Sequence, residues 1–393
     1  MRHETPAATL GVVGGGQLGR MLGEAAGPLG VEVVVSDPTP DCPAAPVVRD
    51  QIVGAFDDYD AIRKLAERVD VLTFEIELAD PDELERVSEE TDVPVQPDPA
   101  TLRTIQDKLV QNRMLGDAGI PVPEFRRVDT PADLRAAGEE LGWPVMLKAR
   151  EGGYDGRGNV PVESPDAVES ALDAIGGNAL VEEFIDFERE LAVIGVRGDD
   201  ERRTFPVTET IHEAEILRET VTPARCATAV ADRARAVAHR VLERLEGRGV
   251  YGIELFERSV PNGENEILVN EIAPRPHNSG HWTIEGTTTS QFDQHVRAVL
   301  GWPLGPAELR APTASANLLG DVDEPQSVGL EGSEKILSSP GASLHWYGKR
   351  EVRPLRKMGH VTVTASESSR RDDESPDKVL SRARELRQSV TFR

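Results

Sequence analysis

Residues 251–276 read YGIELFERSVPNGENEILVNEIAPRP. Two apolar segments, YGIELFE and EILVNEIA, flank the tetrapeptide PNGE. Asn-Gly in this setting is the strongest two-residue hairpin signal, because both turn positions require positive φ. If Asn262 and Gly263 form the loop, Pro261 faces Glu264, and the same register sets Glu254 opposite Glu271 on one face. Directly opposed side chains have Cβ atoms roughly 5 Å apart. Two carboxylates so close, in otherwise apolar strands, repel unless one is protonated or a cation lies between them. Mg²⁺, held by one or two carboxylates and by phosphate oxygens, is the expected cation, with Mn²⁺ as the alternative. Asn270 can add an amide oxygen. The competing reading is two solvated carboxylates on an exposed face. It would leave Ile253 and Leu255 to hold the core alone on their side.

Four residues past Glu271 comes Arg275, in the segment APRPHNSGHWT. A guanidinium pointing into the same cleft would stabilise charge on a transferring phosphoryl or acyl-phosphate group. His277 and His281 are spaced like a metal pair, but no cysteine or further histidine lies nearby to complete a zinc set. Upstream, Lys148 lies in the apolar strand WPVMLKAR. A buried lysine is costly unless an anion pairs with it. It feeds EGGYDGRGN, with four glycines in nine residues, a loop whose backbone can approach phosphates closely. Together they read as a triphosphate clamp, with a plain hairpin loop as the alternative. Glu182 and Glu183 end the strand ALVEEFI, where a carboxylate can meet an adenine amino group or ribose hydroxyls, and Glu190 opens the next strand.

Around these motifs the chain divides in three. Residues 1–98 alternate strands (ATLGVVGG, VEVVVSD, VDVLTFEIE) with helices near Gln17–Ala26 and Asp58–Arg68, which predicts a parallel, doubly wound sheet. Prolines and aspartates in PVQPDPATL mark the boundary. Residues 99–305 read as α+β, opening with one helix over residues 99–118 and containing a long helix near Ala227–Glu246. Residues 306–393 form a small β-rich unit closed by a helix near Pro376–Gln388, after a polar surface loop, SESSRRDDESPD. The first strand runs into Gly14, Gly16 and Gly19, a G-x-G-x-x-G turn, and Asp37 ends the next strand. That is the full fingerprint of a dinucleotide site. The same turn suits any phosphate-bearing ligand, or no ligand at all.

Composition limits the partners. With 69 acidic and 44 basic residues the formal net charge is −25, far beyond the magnitude of roughly 2–8 usual for a small soluble domain. Such a surface repels nucleic acid and anionic membranes. Only seven residues are lysine. Abundant acid with little lysine is what a high-salt cytoplasm favours, where screening relieves self-repulsion. No apolar run approaches the roughly 20 residues that span a bilayer. The N-terminus reads as a strand and not a signal peptide. Cys42 and Cys226 form neither a disulfide framework nor a zinc pattern, consistent with a reducing cytoplasm.

GGGQLGRML, VLTFEIE, QDKLVQNR, GGYDGRG, NEIAPRPHNSGHWT and HWY…EVRP…RKMGH follow one another from about residue 10 to residue 361. In this order they resemble the 5-(carboxyamino)imidazole ribonucleotide synthases, ATP-grasp ligases of purine biosynthesis. The resemblance implies an ATP-grasp architecture, with an N-terminal doubly wound preATP-grasp domain and a small C-terminal domain, in a homodimer. It implies that ATP phosphorylates bicarbonate to carboxyphosphate, and that the amine of 5-aminoimidazole ribonucleotide is then carboxylated.

By matching position, ATP would be held by Lys108, Lys148, Gly153, Tyr154, Asp155, Gly156, Arg157, Gly158, Asn159, Glu182, Glu183, Phe184, Ile185, Glu190, His212, Asn270 and Glu271. Glu254 and Glu271 would hold the metal. Arg275, Tyr154, Asp155, His277 and Asn278 would take catalytic roles. The ribonucleotide would meet Glu75, Tyr154, Asp155 and Arg157, its phosphate meeting Lys349, Arg356, Lys357 and the backbone N–H groups of Gly16, Gln17 and Leu18. The family's downstream mutase is a candidate recipient of the product. Three positions depart from the pattern. Leu355 replaces a glycine, Asn159 replaces a glutamine, and an extra residue near Lys349-Arg350 leaves the phosphate lysine ambiguous. Rival readings are another ATP-grasp ligase such as a formate-dependent transformylase or a biotin-dependent carboxylase, an NAD-dependent oxidoreductase, and a nucleotide sensor without activity.

Overall fold

The computed structural model describes residues 7–152, 158–261, 263–365 and 375–393. It opens with β1 (Ala8–Val13), α1 (Gln17–Ala26), β2 (Val31–Asp37), β3 (Asp50–Val53), α2 (Tyr59–Ala66), β4 (Val71–Phe74) and α3 (Pro81–Thr91). The four strands form a wholly parallel sheet in the order β3-β2-β1-β4. Period-two alternation sends Leu10, Val12, Val33 and Val35 to one face, against α1. Val13 and Val34 go to the other, against α2 and α3. This is the doubly wound unit expected.

Next come α4 (Pro99–Gln106) and α5 (Lys108–Asp117). The single helix expected over residues 99–118 is therefore two. Asp107 leaves helical geometry (φ −97°, ψ 102°), and its carboxylate caps α5 through the Leu109 and Val110 N–H groups while pairing with Arg150. The break puts Lys108 at the first position of a new helix instead of the middle of a continuous one.

A four-stranded antiparallel sheet, β5-β8-β6-β7, follows, built from β5 (Phe125–Val128), β6 (Val145–Ala149), β7 (Asn159–Val162) and β8 (Ala179–Glu183). Helices α6 (Pro131–Leu141) and α7 (Val168–Ile175) cover its outer face. The large antiparallel sheet contains β9 (Phe187–Arg197), β10 (Arg202–Thr204), β11 (Thr208–Glu213), β12 (Ile216–Thr222), β13 (Gly249–Arg258) and β14 (Glu266–Ala273), with α8 (Thr228–Leu242) packed on it. Short α9 (Thr283–Gly286) and α10 (Gln291–Val299) return the chain to the first unit. His295 of α10 ties the two: its Nδ1 accepts from the Val250 N–H at 3.1 Å, and its Nε2 bonds Thr73 Oγ1 of β4 at 2.8 Å.

The last stretch holds β15 (Thr313–Leu319), β16 (Gln326–Ser327), β17 (Leu330–Glu331), α11 (Ser333–Ser338), β18 (Ala342–Trp346), β19 (Glu351–Val352), β20 (Lys357–Thr364), α12 (Pro376–Gln388) and β21 (Thr391–Phe392). Its main strands do not form a separate sheet. β15 pairs with β12 over Thr313–Ala316 and Glu219–Thr222, so the large sheet continues through β15, β20 and β18.

The hairpin needs one correction. The loop joining β13 to β14 spans residues 259–265, seven residues instead of two, and Asn262 lies outside the described residues. Near the loop Arg258 faces Glu266 and Leu255 faces Val269. A register shift between Glu254 and Leu255 then absorbs Asn270, and beyond it Glu254 does face Glu271. The pairing matches the expectation only because the longer loop and the bulge offset each other by one residue.

Candidate active site

The small and large sheets face each other across a cleft of about 550 Å³. Its walls carry Lys108, Lys148, Asn159, Glu182 to Ile185, Glu190, His212, Glu254, Asn270, Glu271, Arg275, His277, Asn278 and Lys357. Gly153, Tyr154, Asp155, Gly156 and Arg157 lie outside the described residues. Gly158 closes that loop, its carbonyl accepting from the Ala149 N–H at 2.7 Å.

Lys148 is buried and held by two partners, one of them anchored in turn by Asn112. Glu182 Oε2 lies 2.7 Å from its Nζ, Asn270 Oδ1 lies 3.0 Å away, and Glu182 Oε1 accepts from Asn112 Nδ2 at 2.8 Å. In this arrangement the carboxylate expected to meet adenine is the counter-ion of the clamp lysine. A buried pair of this kind is tolerable because every charged atom finds a partner. Glu183, also on the cleft wall, pairs with Arg258 at 2.8 Å.

On the opposite wall Glu254 and Glu271 stand side by side. Burial pushes Glu254 up to about 7, with the Glu271 charge adding to it. Burial would raise Glu271 too, but Lys108 (3.5 Å), Lys148 and Arg275 outweigh it and leave it below the ordinary carboxylate value. His212 Nδ1 meets Glu190 Oε2 at 2.7 Å; burial opposes its charge, but Glu190 and Glu254 raise its pKa. His277 sits over the strand at Gly252, where a Cβ would come 2.4 Å from the His277 Cβ, so only glycine admits the ring there. Its Nε2 is 3.8 Å from Glu254 Oε1, and burial followed by Arg275 drives it well below 6.5, so it is neutral. Asn278 lines the cleft, and its buried Nδ2 has no hydrogen-bond partner among the described residues.

The first glycine turn is occupied from within. Asp37 Oδ2 takes the Gly15 N–H at 2.9 Å, while Glu75 takes the N–H groups of Gly16 and Gly19. A dinucleotide would find these donors already committed. Lys349 reaches the same turn through the side chain of Gln17, at 2.9 Å, and caps the Lys357 carbonyl at 2.5 Å. Arg350 is 77% exposed and pairs with Asp41, so Lys349 is the inward member of that pair. Arg356 turns back to the Glu351 carbonyl at 2.9 Å. Leu18 lies buried beside the turn.

Sequence reading missed Glu77, whose carboxylate lies 2.8 Å from Arg275 Nη2, and Asn112 behind Glu182. The signal for Glu77 was its spacing of two from Glu75 at the end of an apolar strand. Among the described residues no group of three or more His, Cys, Asp or Glu is arranged to hold a metal ion.

A buried lysine on one antiparallel sheet and paired carboxylates on another, facing across one cleft, are the arrangement of an ATP-grasp protein. Residues 113–292 match the ATP-grasp domain family, residues 7–106 the ribonucleotide synthetase preATP-grasp domain, and residues 313–374 the phosphoribosylaminoimidazole carboxylase C-terminal domain. The chain is 40% identical to the N5-carboxyaminoimidazole ribonucleotide synthase of Synechococcus elongatus, over 93% of this chain and 91% of that one. It belongs to the N5-carboxyaminoimidazole ribonucleotide synthase family. It is also 42% identical to the phosphoribosylaminoimidazole carboxylase of Schizosaccharomyces pombe, but covers only 64% of that longer chain. Among solved structures it is similar to the Aspergillus clavatus N5-carboxyaminoimidazole synthase in complex with ADP and 5-aminoimidazole ribonucleotide (TM-score 0.86, 38% identity, 97% of this chain and 98% of that one).

Proposed function

We propose that this chain uses ATP and bicarbonate to carboxylate 5-aminoimidazole ribonucleotide to N5-carboxyaminoimidazole ribonucleotide, releasing ADP and phosphate. The observation that carries the reading is the convergence of Lys108, Lys148, Glu254, Glu271 and Arg275 in one cleft. The Aspergillus clavatus relative solved with ADP and the ribonucleotide supports the choice of substrate. Lys148, with Glu182 as its counter-ion, and Lys108 hold the triphosphate, and Glu183 to Ile185 with Glu190 hold the adenosine. Arg275 stabilises charge on the transferring phosphoryl group. Neutral His277 and Asn278 orient the bicarbonate and its phosphorylated product. Lys349, Lys357, Gln17 and Glu75 form the ribonucleotide end, with Tyr154, Asp155 and Arg157 completing it. Glu254 and Glu271 fit Mg²⁺, because a cation between them offsets the burial that raises Glu254 and the repulsion that adds to it, and two carboxylates leave the other positions for phosphate oxygens and water. When bound, the ion neutralises charge on the phosphates.

The finer parts of the reading are units bounded near residues 98 and 305, a homodimer, a cytoplasm of high salt, and delivery of the labile product to the mutase. No helix among the described residues is long and apolar enough to cross a membrane. The test is phosphate release in high potassium chloride with Mg²⁺, ATP and bicarbonate, with and without the ribonucleotide. Strong dependence on the ribonucleotide supports the reading. Release that ignores it, in folded protein that binds ATP, overturns the named substrate and leaves the ATP-grasp class standing.

A further inference from the structure

We infer that Glu77 is a positioning residue for the proposed reaction, fixing the guanidinium of Arg275 across the gap between the first unit and the large sheet. The inference rests on the carboxylation reading above. Both Glu77 oxygens meet one nitrogen of Arg275: Oε1 lies 2.8 Å and Oε2 2.9 Å from Nη2. Arg275 Nη1 donates to the Pro276 carbonyl at 3.1 Å, so the guanidinium is fixed at two points from two different parts of the chain. The Arg275 side chain is 9% exposed and that of Glu77 24%, so the pair is largely shielded from water.

Glu77 is itself held. The Gln106 side chain donates to the Glu77 carbonyl at 2.8 Å and to the Ala79 carbonyl at 2.9 Å, pinning the loop after β4 to the end of α4. One residue past that helix, Asp107 breaks the chain, and Lys108 enters the cleft with Glu77 among the carboxylates that favour its charge. Gln106, Glu77 and Arg275 thus form a relay in which each group restricts the next. An arginine side chain has several rotatable bonds, and holding it in one rotamer before the reaction reduces the ordering cost of each turnover. Glu77 need not touch the reacting atoms to do this. Its carboxylate faces a cation that already has a task, and removing the negative charge frees that cation to swing toward Glu271.

The test uses the full chain and four variants: Glu77→Gln, Glu77→Asp, Arg275→Lys and the double variant of Glu77→Gln with Arg275→Lys. Glu77→Gln keeps shape and removes charge. The expected result is an ATP affinity and melting temperature close to wild type, a fall in ribonucleotide-dependent kcat of about tenfold or more, and partial recovery in Glu77→Asp. Arg275→Lys, which loses the forked geometry, should add little loss on top of Glu77→Gln, because the two act as one unit. Unchanged kcat in Glu77→Gln, losses that multiply in the double variant, or a loss of ATP affinity and melting temperature together would each overturn the inference. A wild-type protein without ribonucleotide-dependent turnover sinks the carboxylation reading instead, so the two failures are separable.

Discussion

Glu254 faces Glu271 across the β13–β14 hairpin, and the two carboxyls are held apart in proton affinity, Glu254 raised to about 7 and Glu271 kept below its ordinary value. The asymmetry comes from their neighbours. Lys108, Lys148 and Arg275 lie toward Glu271, whereas Glu254 has buried strand, Glu190 and a histidine.

On the proposed reaction both charges serve turnover, so Glu254→Gln and Glu271→Gln should each lower ribonucleotide-dependent phosphate release by about 100-fold or more. Stability in the absence of divalent cations should separate them. Glutamine resembles the protonated form that Glu254 readily adopts, so urea unfolding of Glu254→Gln with a chelator should match wild type or exceed it. Glu271→Gln strips a partner from Lys108 and should cost about 1 kcal/mol, a modest figure because the Glu271 side chain is 47% exposed to the cleft. Equal stability changes in the two variants would contradict the asymmetry.

The opposition of those carboxylates is legible in the amino-acid sequence, though for a reason that is only half right. Asn-Gly locates the hairpin, and the face comes out correctly because a seven-residue loop and a bulge at Asn270 shift the register in opposite senses. A bulge leaves no mark in composition. The doubly wound unit is legible from strand and helix alternation, which is a local signal. The pairing of β12 with β15 is not, because it joins residues about ninety positions apart with no turn between them. Glu182 shows the limit for single residues. Its strand-end position points to the nucleotide, and the structure pairs it with Lys148.

The glycine turn predicts a negative result with a physical cause. Gly15, Gly16 and Gly19 give their N–H groups to Asp37 and Glu75, so a pyrophosphate would have to displace two carboxylates. NAD or NADP titrated against the protein should show no saturable binding in the micromolar range. Micromolar binding that Glu75→Gln strengthens would instead show that the donors are available. The same packing makes Gly14→Ala costly, about 3 kcal/mol, since φ is +107° and the added Cβ would lie 2.4 Å from Glu75 Cγ.

His295 gives a stability prediction with a definite sign. Burial lowers its pKa to about 3, against roughly 6.5 when unfolded. Below pH 6.5 the unfolded chain therefore takes up a proton that the folded chain refuses, and stability falls as pH falls. The contribution is fully present above about pH 6.5 and declines by about 1.4 kcal/mol per pH unit toward pH 3. Urea unfolding of wild type and His295→Gln between pH 6.5 and 5 should show a wild-type slope steeper by about that amount. Parallel curves would mean that His295 is protonated in the folded protein.

Leu355 carries the last prediction. It sits at φ +60°, a left-handed conformation that costs an L-residue roughly 1–2 kcal/mol, and it is 46% exposed, so its side chain returns little packing. The Arg356 N–H donates to the Arg353 carbonyl at 3.0 Å and the Leu355 N–H to the Gly320 carbonyl at 2.9 Å, so the turn itself enforces that conformation. Glycine adopts it freely but adds roughly 0.5–1 kcal/mol of unfolded-state entropy. Leu355→Gly should therefore be more stable by about 0.5–1 kcal/mol in urea. It should leave the KM for the ribonucleotide unchanged, because the turn geometry that delivers Lys357 is the same with either residue. A loss of stability would show that the leucine side chain holds the turn against the sheet, and a raised KM would show that it takes part in the phosphate end of the site.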